Sequence, residues 1–431
     1  MSKQEVAIFW FRRDLRLDDN VGLFHSLESK FPVIPLFIFD EAILDNLPKN
    51  DARVSFIYES LEKINVQLQQ IGSSLLVKKG KTLGVWESLI QEFDVKEVFF
   101  NKDYEPYAIK RDLAVCELLD ENKTTPFPFK DQVIFEEKEI TKADGLPYTV
   151  YTPYKNKWLE KYKSLAPIQV YDASDNFANF YKSDFVLPTL EQIGFEKSSI
   201  KVIPHNLKSI TNYQETRDFP ALDSTSYLSP HLRFGTVSTR KLVIWANKTN
   251  QVFLSELIWR EFFMQILFSF PKVVTNNFKS AYDGIQWRND EEDFKRWCSG
   301  TTGYPMVDAG MRQLNETGYM HNRVRMVVAS FLCKHLLINW QWGEAYFAEK
   351  LLDFELSSNV GNWQWAAGTG CDAAPYFRVF NPEIQLKKFD DKGIYIRKWI
   401  PEFDLGYGEP IIDHAYARDR AIATYKAGIL K

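Results

Sequence analysis

The segment SELIWREFF places Glu256, Trp259 and Arg260 within five residues. On a helix, Glu256 and Trp259 share a face, so a carboxyl group would stand beside an aromatic plate. In a buried pocket that carboxyl would keep its proton and donate a hydrogen bond to a flat ligand. At a surface, Glu256 and Arg260 would instead form an ordinary i,i+4 pair. In MHNRVRM, Asn322 and Met326 fall one turn apart on one face, while Arg323 and Arg325 point elsewhere. Asp353, in LLDFEL, is a candidate partner for one of these arginines, and such a buried pair is costly unless well hydrogen-bonded. In STSYLSP, Ser229 before Pro230 reads as an N-cap with proline at the first helical position. Hydroxyls gathered before a helix also suit a phosphate group.

Nine of the twelve tryptophans lie after residue 240. Two stand one residue apart in NVGNWQW, as Trp363 and Trp365. Most aromatic positions in a helical domain only fill a core. The alternative for Trp363, Trp340 and Trp287, in three separate segments, is a relay of redox-active indoles leading to a buried cofactor.

Other chemistries are absent. The four cysteines are scattered, without a CxxC or a His/Cys cluster, which argues against a disulfide framework and against a zinc site. Gly80-Lys81-Thr82 resembles the tail of a phosphate-binding loop, but the first glycine of that motif is missing, and no GxGxxG follows the first strand. No apolar run reaches membrane-spanning length. The short apolar stretch near the N-terminus runs straight into arginines, unlike a signal peptide, so a cytoplasmic protein is expected. The net charge of −4 is unevenly spread. Residues 1–200 carry 25 Lys+Arg against 32 Asp+Glu, and residues 201–431 carry 28 against 25. A phosphate-binding face belongs in the second half.

The elements that must position these residues divide the chain in three. Residues 1–130 alternate β-rich runs with amphipathic stretches, an α/β pattern with a parallel sheet. Strands are expected at Val6–Phe11, Val33–Phe39, Ser74–Val77, Val98–Asn101 and Val133–Phe135, with helices at Ser55–Gln70 and Tyr107–Asp120. Residues 131–205 show little periodicity and read as a connecting segment. From 206 to 431 helical signals dominate. The clearest is Tyr319–Trp340, where Val324, Val327, Val328, Phe331, Leu332 and Leu336 recur at three- and four-residue spacing.

Together these segments resemble the photolyase/cryptochrome flavoprotein family, most closely its bacterial class I cyclobutane-dimer branch. The matching stretches are WFRRDLRLDDN (10–20), DYEPYA (103–108), RDFPALDSTSYLSPHLRFG (217–235), ELIWREFF (256–263), TGYPMVDAGMRQLNETGYMHNRVRM (302–326) and NWQWAAGTGCDAAPYFRVFNP (362–382). The resemblance implies an α/β antenna-type domain (1–130), a linker (131–205) and an all-α FAD-binding domain (206–431), active with reduced FAD. Tyr213 and the run Thr225, Ser226, Tyr227, Leu228 and Ser229 match positions that hold the FAD phosphates and ribityl chain. Asn359 matches the residue facing flavin N5, and Arg325 with Asp353 a salt bridge beside the ring. Glu355 stands near the ring edge, where the family often has aspartate. Trp363, Trp340 and Trp287 match the relay. Glu256, Trp259, Arg260, Asn322, Arg323, Met326 and Trp365 match the wall of the substrate pocket and its rim.

The implied activity is blue-light-driven splitting of cyclobutane pyrimidine dimers in UV-damaged DNA, by a monomer without a membrane partner. Glu256 and Asn322 would hydrogen-bond the dimer, Arg323 would contact the backbone, and Trp365 would wall a flipped-out base pair. Two rivals stay open. A (6-4) photolyase would carry pocket histidines as proton donors; here His321 precedes Asn322, and Met326 stands where a histidine would. A photoreceptor would use the same flavin and relay to signal to a protein. Tyr107-Ala108 replaces the carboxylate that holds a folate antenna, so the antenna is a deazaflavin, a second flavin or none.

Overall fold

This computed structural model describes residues 3–165 and 167–429. The chain forms two compact units, each assembled from separate stretches. The first comprises residues 1–139, 159–204 and 228–249, and the second residues 140–158, 205–227 and 250–431.

The first unit is built on a parallel five-stranded sheet, in the order β3-β2-β1-β4-β5. Its strands are β1 (Glu5–Phe11), β2 (Val33–Asp40), β3 (Leu76–Gly80), β4 (Asp94–Asn101) and β5 (Thr125–Phe129). Strands β1 and β2 are apolar almost throughout because both faces of the sheet are covered. Successive side chains of β1 alternate between two cores: Ala7, Phe9 and Phe11 enter one, Val6, Ile8 and Trp10 the other. The helices expected around 55–70 and 107–120 are present as Ala52–Gln69 and Pro106–Glu121. Gly80-Lys81-Thr82 is a plain junction from β3 into the helix Thr82–Glu92.

The fifth strand corrects the sequence reading. It is TPFPF at 125–129, and no strand occupies Val133–Phe135. Two prolines hid it. They are tolerated because β5 is an edge strand, where half the backbone N–H groups face away from the ladder.

WFRRDLRLDDN leaves the end of β1 and closes a polar network inside this unit. Arg16 pairs with Asp131 (2.7 Å), and Arg240 joins the same carboxylate (2.8 Å). Asn101 donates to Asp14 (2.6 Å). Burial raises the Asp14 pKa, and the hydrogen bond from the Arg12 backbone opposes it. These matching residues are structural ties.

The second unit is helical. Its main helices are Gln251–Ser269, Pro305–Thr317, Asn322–Ser330, Trp340–Lys350, Leu356–Ala367 and His414–Gly428. The periodic run Tyr319–Trp340 is not one helix. It is helical over Asn322–Ser330, widens to a π-turn over Phe331–His335, and breaks at Leu337, which is left-handed (φ 51°), before restarting at Trp340. The apolar periodicity reported burial correctly, since all six spaced residues are buried. It could not report an inserted residue or a break. Two glycines set the approach of three helices. A Cβ on Gly343 would lie 2.1 Å from the Trp363 ring, and one on Gly361 would lie 2.2 Å from Phe263.

Candidate active site

Helix Gln251–Ser269 begins at Asn250, whose side chain accepts from the N–H groups of Val252 and Phe253. It carries Glu256, Trp259 and Arg260. The expected Glu256–Arg260 pair does not form. Glu256 Oε1 accepts from Arg217 (2.7 Å), and its side chain is 33% exposed. That is the setting of an ion-paired carboxylate, not of the buried donor read from the sequence. Arg260 turns inward to Glu355 (3.0 Å), with Glu355 buried and Arg260 half-buried. Glu355 also accepts from Ser358 (3.0 Å). Its extra methylene is thus used within the protein.

Trp259 stacks on Tyr151, with centroids 3.6 Å apart and an interplanar angle of 8°. The Tyr151 hydroxyl is held at Ser255 (2.6 Å to the carbonyl). Tyr151 opens a helix, Tyr151–Leu165, that weak periodicity does not announce. One face of Trp259 is therefore braced from behind.

Helix Asn322–Ser330 carries the other group. His321 is its N-cap, and Nδ1 of His321 accepts from the Arg323 backbone N–H (3.2 Å). The proton of the neutral ring is then on Nε2. The ring is buried and its pKa falls to about 4, chiefly from burial, with Asp218 opposing and Arg325, Arg323 and Arg217 adding. His321 is thus committed to capping. Asn322 is exposed and Met326 half-buried on the same short helix. Arg323 pairs with Asp218 (2.6 Å) and lies over Phe389 (4.4 Å). Arg325 pairs with Asp353 (2.9 Å), as the sequence suggested.

Adjacent residues Arg217 and Asp218 therefore reach, with opposite charges, to Glu256 on one helix and Arg323 on the other. Both sit in the matched RDFPALD stretch, so the sequence held the signal. Arg217 also lies over Tyr213, 5.1 Å from its centroid. The Tyr213 pKa is raised by burial first and by Glu256 second.

Within the hydroxyl run, the Thr225 carbonyl accepts from Ser209 (3.2 Å) and the Ser226 carbonyl from the Asn206 N–H (2.8 Å). Tyr227 is left-handed (φ 53°) and donates to Asp223 (2.6 Å). The following helix is Leu228–Phe234. Ser229 thus lies in its first turn and is not the expected N-cap, because the left-handed Tyr227 starts the helix earlier. Leu228 and Ser229 fall in the first unit, and Thr225, Ser226 and Tyr227 in the second.

Helix Leu356–Ala367 carries Asn359, Trp363 and Trp365. Asn359 is buried, and its amide nitrogen donates to the Glu344 side chain (2.7 Å) and carbonyl (3.0 Å). Burial raises the Glu344 pKa, and the bond from Asn359 opposes it. No sequence signal singled out Glu344 or Tyr151. Trp363 and Trp340 are buried in one core, with Trp287 and Trp365 half-buried against it. The Trp340 indole donates to Asn277 (2.9 Å), and Trp287 meets Tyr425 edge-on at 5.7 Å.

Three buried polar atoms of this segment, Asp353 Oδ1, Ser357 Oγ and Trp363 Nε1, have no protein partner. Buried polar groups are normally satisfied, so this donor and acceptor set fits a polar heteroaromatic ring such as a flavin. Among the described residues no cluster of three or more His, Cys, Asp or Glu could hold a metal. No helix there is long and apolar enough to cross a membrane.

Comparison with known proteins identifies the family. Residues 7–172 match the family model described as DNA photolyase, and residues 253–405 the FAD binding domain of DNA photolyase. A protein of Agrobacterium fabrum named deoxyribodipyrimidine photo-lyase is 36% identical, over 99% of this chain and 98% of its own length. The crystal structure of a bacterial class III photolyase from Agrobacterium tumefaciens superimposes with a TM-score of 0.86 at 34% identity, covering 99% of this chain and 98% of that one. An archaeal photolyase from Sulfolobus tokodaii, solved with two FAD molecules, gives 0.81 at 32% identity, covering 98% of this chain and 100% of that one.

Proposed function

This chain belongs to the DNA photolyase family, and from that premise we propose that it is a deoxyribodipyrimidine photolyase that splits cyclobutane pyrimidine dimers in UV-damaged DNA. The observation that carries the reading is the link between two helices: adjacent Arg217 and Asp218 pair with Glu256 on the helix that also carries Trp259 and with Arg323 on the helix that also carries Asn322 and Met326. Reduced FAD, when bound, supplies the electron that blue light delivers to the dimer and receives it back.

The protein's own residues do the rest. Arg325, Asp353, Glu355 and Asn359 hold the ring, with Tyr213, Thr225, Ser226, Tyr227, Leu228 and Ser229 on the phosphates and ribityl chain. Trp259, braced by Tyr151, and Trp365 wall the flipped-out lesion. Stacking of this kind contributes about 1–3 kcal/mol per base. Extrusion costs a few kcal/mol, least at a lesion that stacks poorly. The Asn322 amide donates to the dimer where charge develops on it, and the Glu256 carboxylate accepts from a pyrimidine N–H. Trp287, Trp340 and Trp363 load electrons inward from the surface.

His321 favours the cyclobutane dimer over the (6-4) lesion. A neutral, buried ring held as a helix cap is poorly placed to protonate a substrate. The second FAD in the archaeal relative supports a second chromophore here, and a flavin is the antenna we favour. The test uses chemically reduced protein and UV-irradiated oligo(dT). Blue light should restore thymine absorbance, and no recovery with flavin bound would refute the assignment.

A further inference from the structure

Arg323, which the family resemblance sets at the rim of the substrate pocket, already holds an anion. Arg323 gives Nη2 (2.6 Å) and Nε (3.2 Å) to the same Asp218 oxygen, while Nη1 points to Met326 Sδ (3.6 Å). Asp218 is the more exposed partner, at 39% against 19% for Arg323. It hangs from a short loop with Phe219, which packs edge-on to Phe389 at 6.4 Å. Phe389 is also the ring beneath the Arg323 guanidinium. The arginine is thus fixed by packing on one side and by an exchangeable carboxylate on the other.

We propose that Asp218 is a resident anion that holds the Arg323 guanidinium in the free protein and yields it to a DNA phosphate. The proposal rests on the DNA-repair reading above. Phosphate and carboxylate compete for the same planar donor fork. Every DNA complex must therefore displace Asp218 first, on damaged and undamaged strands alike. Asp218 weakens binding and shortens residence on DNA, while Phe389 keeps Arg323 in place during the exchange.

The test is a double-mutant cycle in DNA binding. Asp218→Asn keeps the shape and removes the charge. It should tighten Kd for undamaged duplex roughly two- to fivefold, the scale of one half-exposed ion pair, and tighten dimer-containing duplex by the same factor. In an Arg323→Ala background the Asp218→Asn gain should vanish. Arg323→Ala should flatten the salt slope by about one unit when Asn occupies position 218, and by less with Asp218 present. Asp223→Asn is the control, since Asp223 accepts from the Tyr227 hydroxyl. An equal gain from Asp223→Asn, or a gain that survives Arg323→Ala, would reduce the effect to general charge and overturn the proposal. Weaker binding with loss of flavin in Asp218→Asn would show a merely structural role and also overturn it. If wild-type protein binds DNA but ignores the lesion, the repair reading fails, while the cycle on undamaged DNA still decides the role of Asp218.

Discussion

Glu256 is held by one strong contact, the Arg217 guanidinium at 2.7 Å, and its ring neighbour Trp259 is braced by Tyr151. Removing the carboxylate should leave this frame standing. Glu256→Ala is expected to retain flavin and most DNA affinity but to lower repair per absorbed photon roughly three- to tenfold, the scale of one hydrogen bond to the lesion. Wild-type yield in steady-state photorepair would remove Glu256 from the chemistry. His321 makes a prediction about pH. Its folded pKa, about 4, lies below the unfolded value of 6.5. The unfolded chain therefore binds more protons between these values, and stability falls as pH drops from about 6.5 towards 4. His321→Asn keeps a capping side chain without the titration. Its denaturant midpoint should fall less over that window than the wild-type midpoint, and parallel curves would contradict the buried neutral cap.

Helices 340–350 and 356–367 meet where Gly343 faces the Trp363 ring. A methyl group there cannot fit without moving the indole. Gly343→Ala should cost about 1–3 kcal/mol in thermal unfolding and slow photoreduction of bound flavin; an unchanged melting temperature would mean that the helices separate freely. This contact was not legible in the sequence, where Gly343 is one small residue inside a helical pattern. The elements legible in advance were those with a strong local signal, such as the continuous apolar runs of β1 and β2 and the patterned helix Ala52–Gln69. Those missed had their signal overridden from outside. Strand β5 carries prolines that only an edge position tolerates, and the run 319–340 hides a π-turn that apolar spacing cannot show. At the site, residue types offered Asp353 as a partner for one of Arg323 and Arg325, and the family resemblance singled out Arg325. The exchange of partners that sends Glu256 to Arg217 and Arg260 to Glu355 was not readable, because i,i+4 spacing suggested a local pair and tertiary contacts won.

At the scale of the molecule, a net charge of −4 gives no hint of a nucleic-acid partner. Local fields govern such binding, so affinity for DNA should still fall steeply with salt. The proposed relay would run within the second unit from half-buried Trp287 to buried Trp363, and the proposal separates it from repair. Trp287→Phe should block photoreduction of the oxidised protein yet repair normally once chemically reduced; unchanged photoreduction would place the electron entry elsewhere. The most direct test of the whole account uses two oligonucleotides, one with a thymine cyclobutane dimer and one with a (6-4) photoproduct. Both are illuminated with blue light beside the reduced protein and resolved by chromatography. The account predicts that the cyclobutane dimer is restored to thymines and the (6-4) photoproduct persists. Restoration of the (6-4) lesion with the cyclobutane dimer left intact would contradict it.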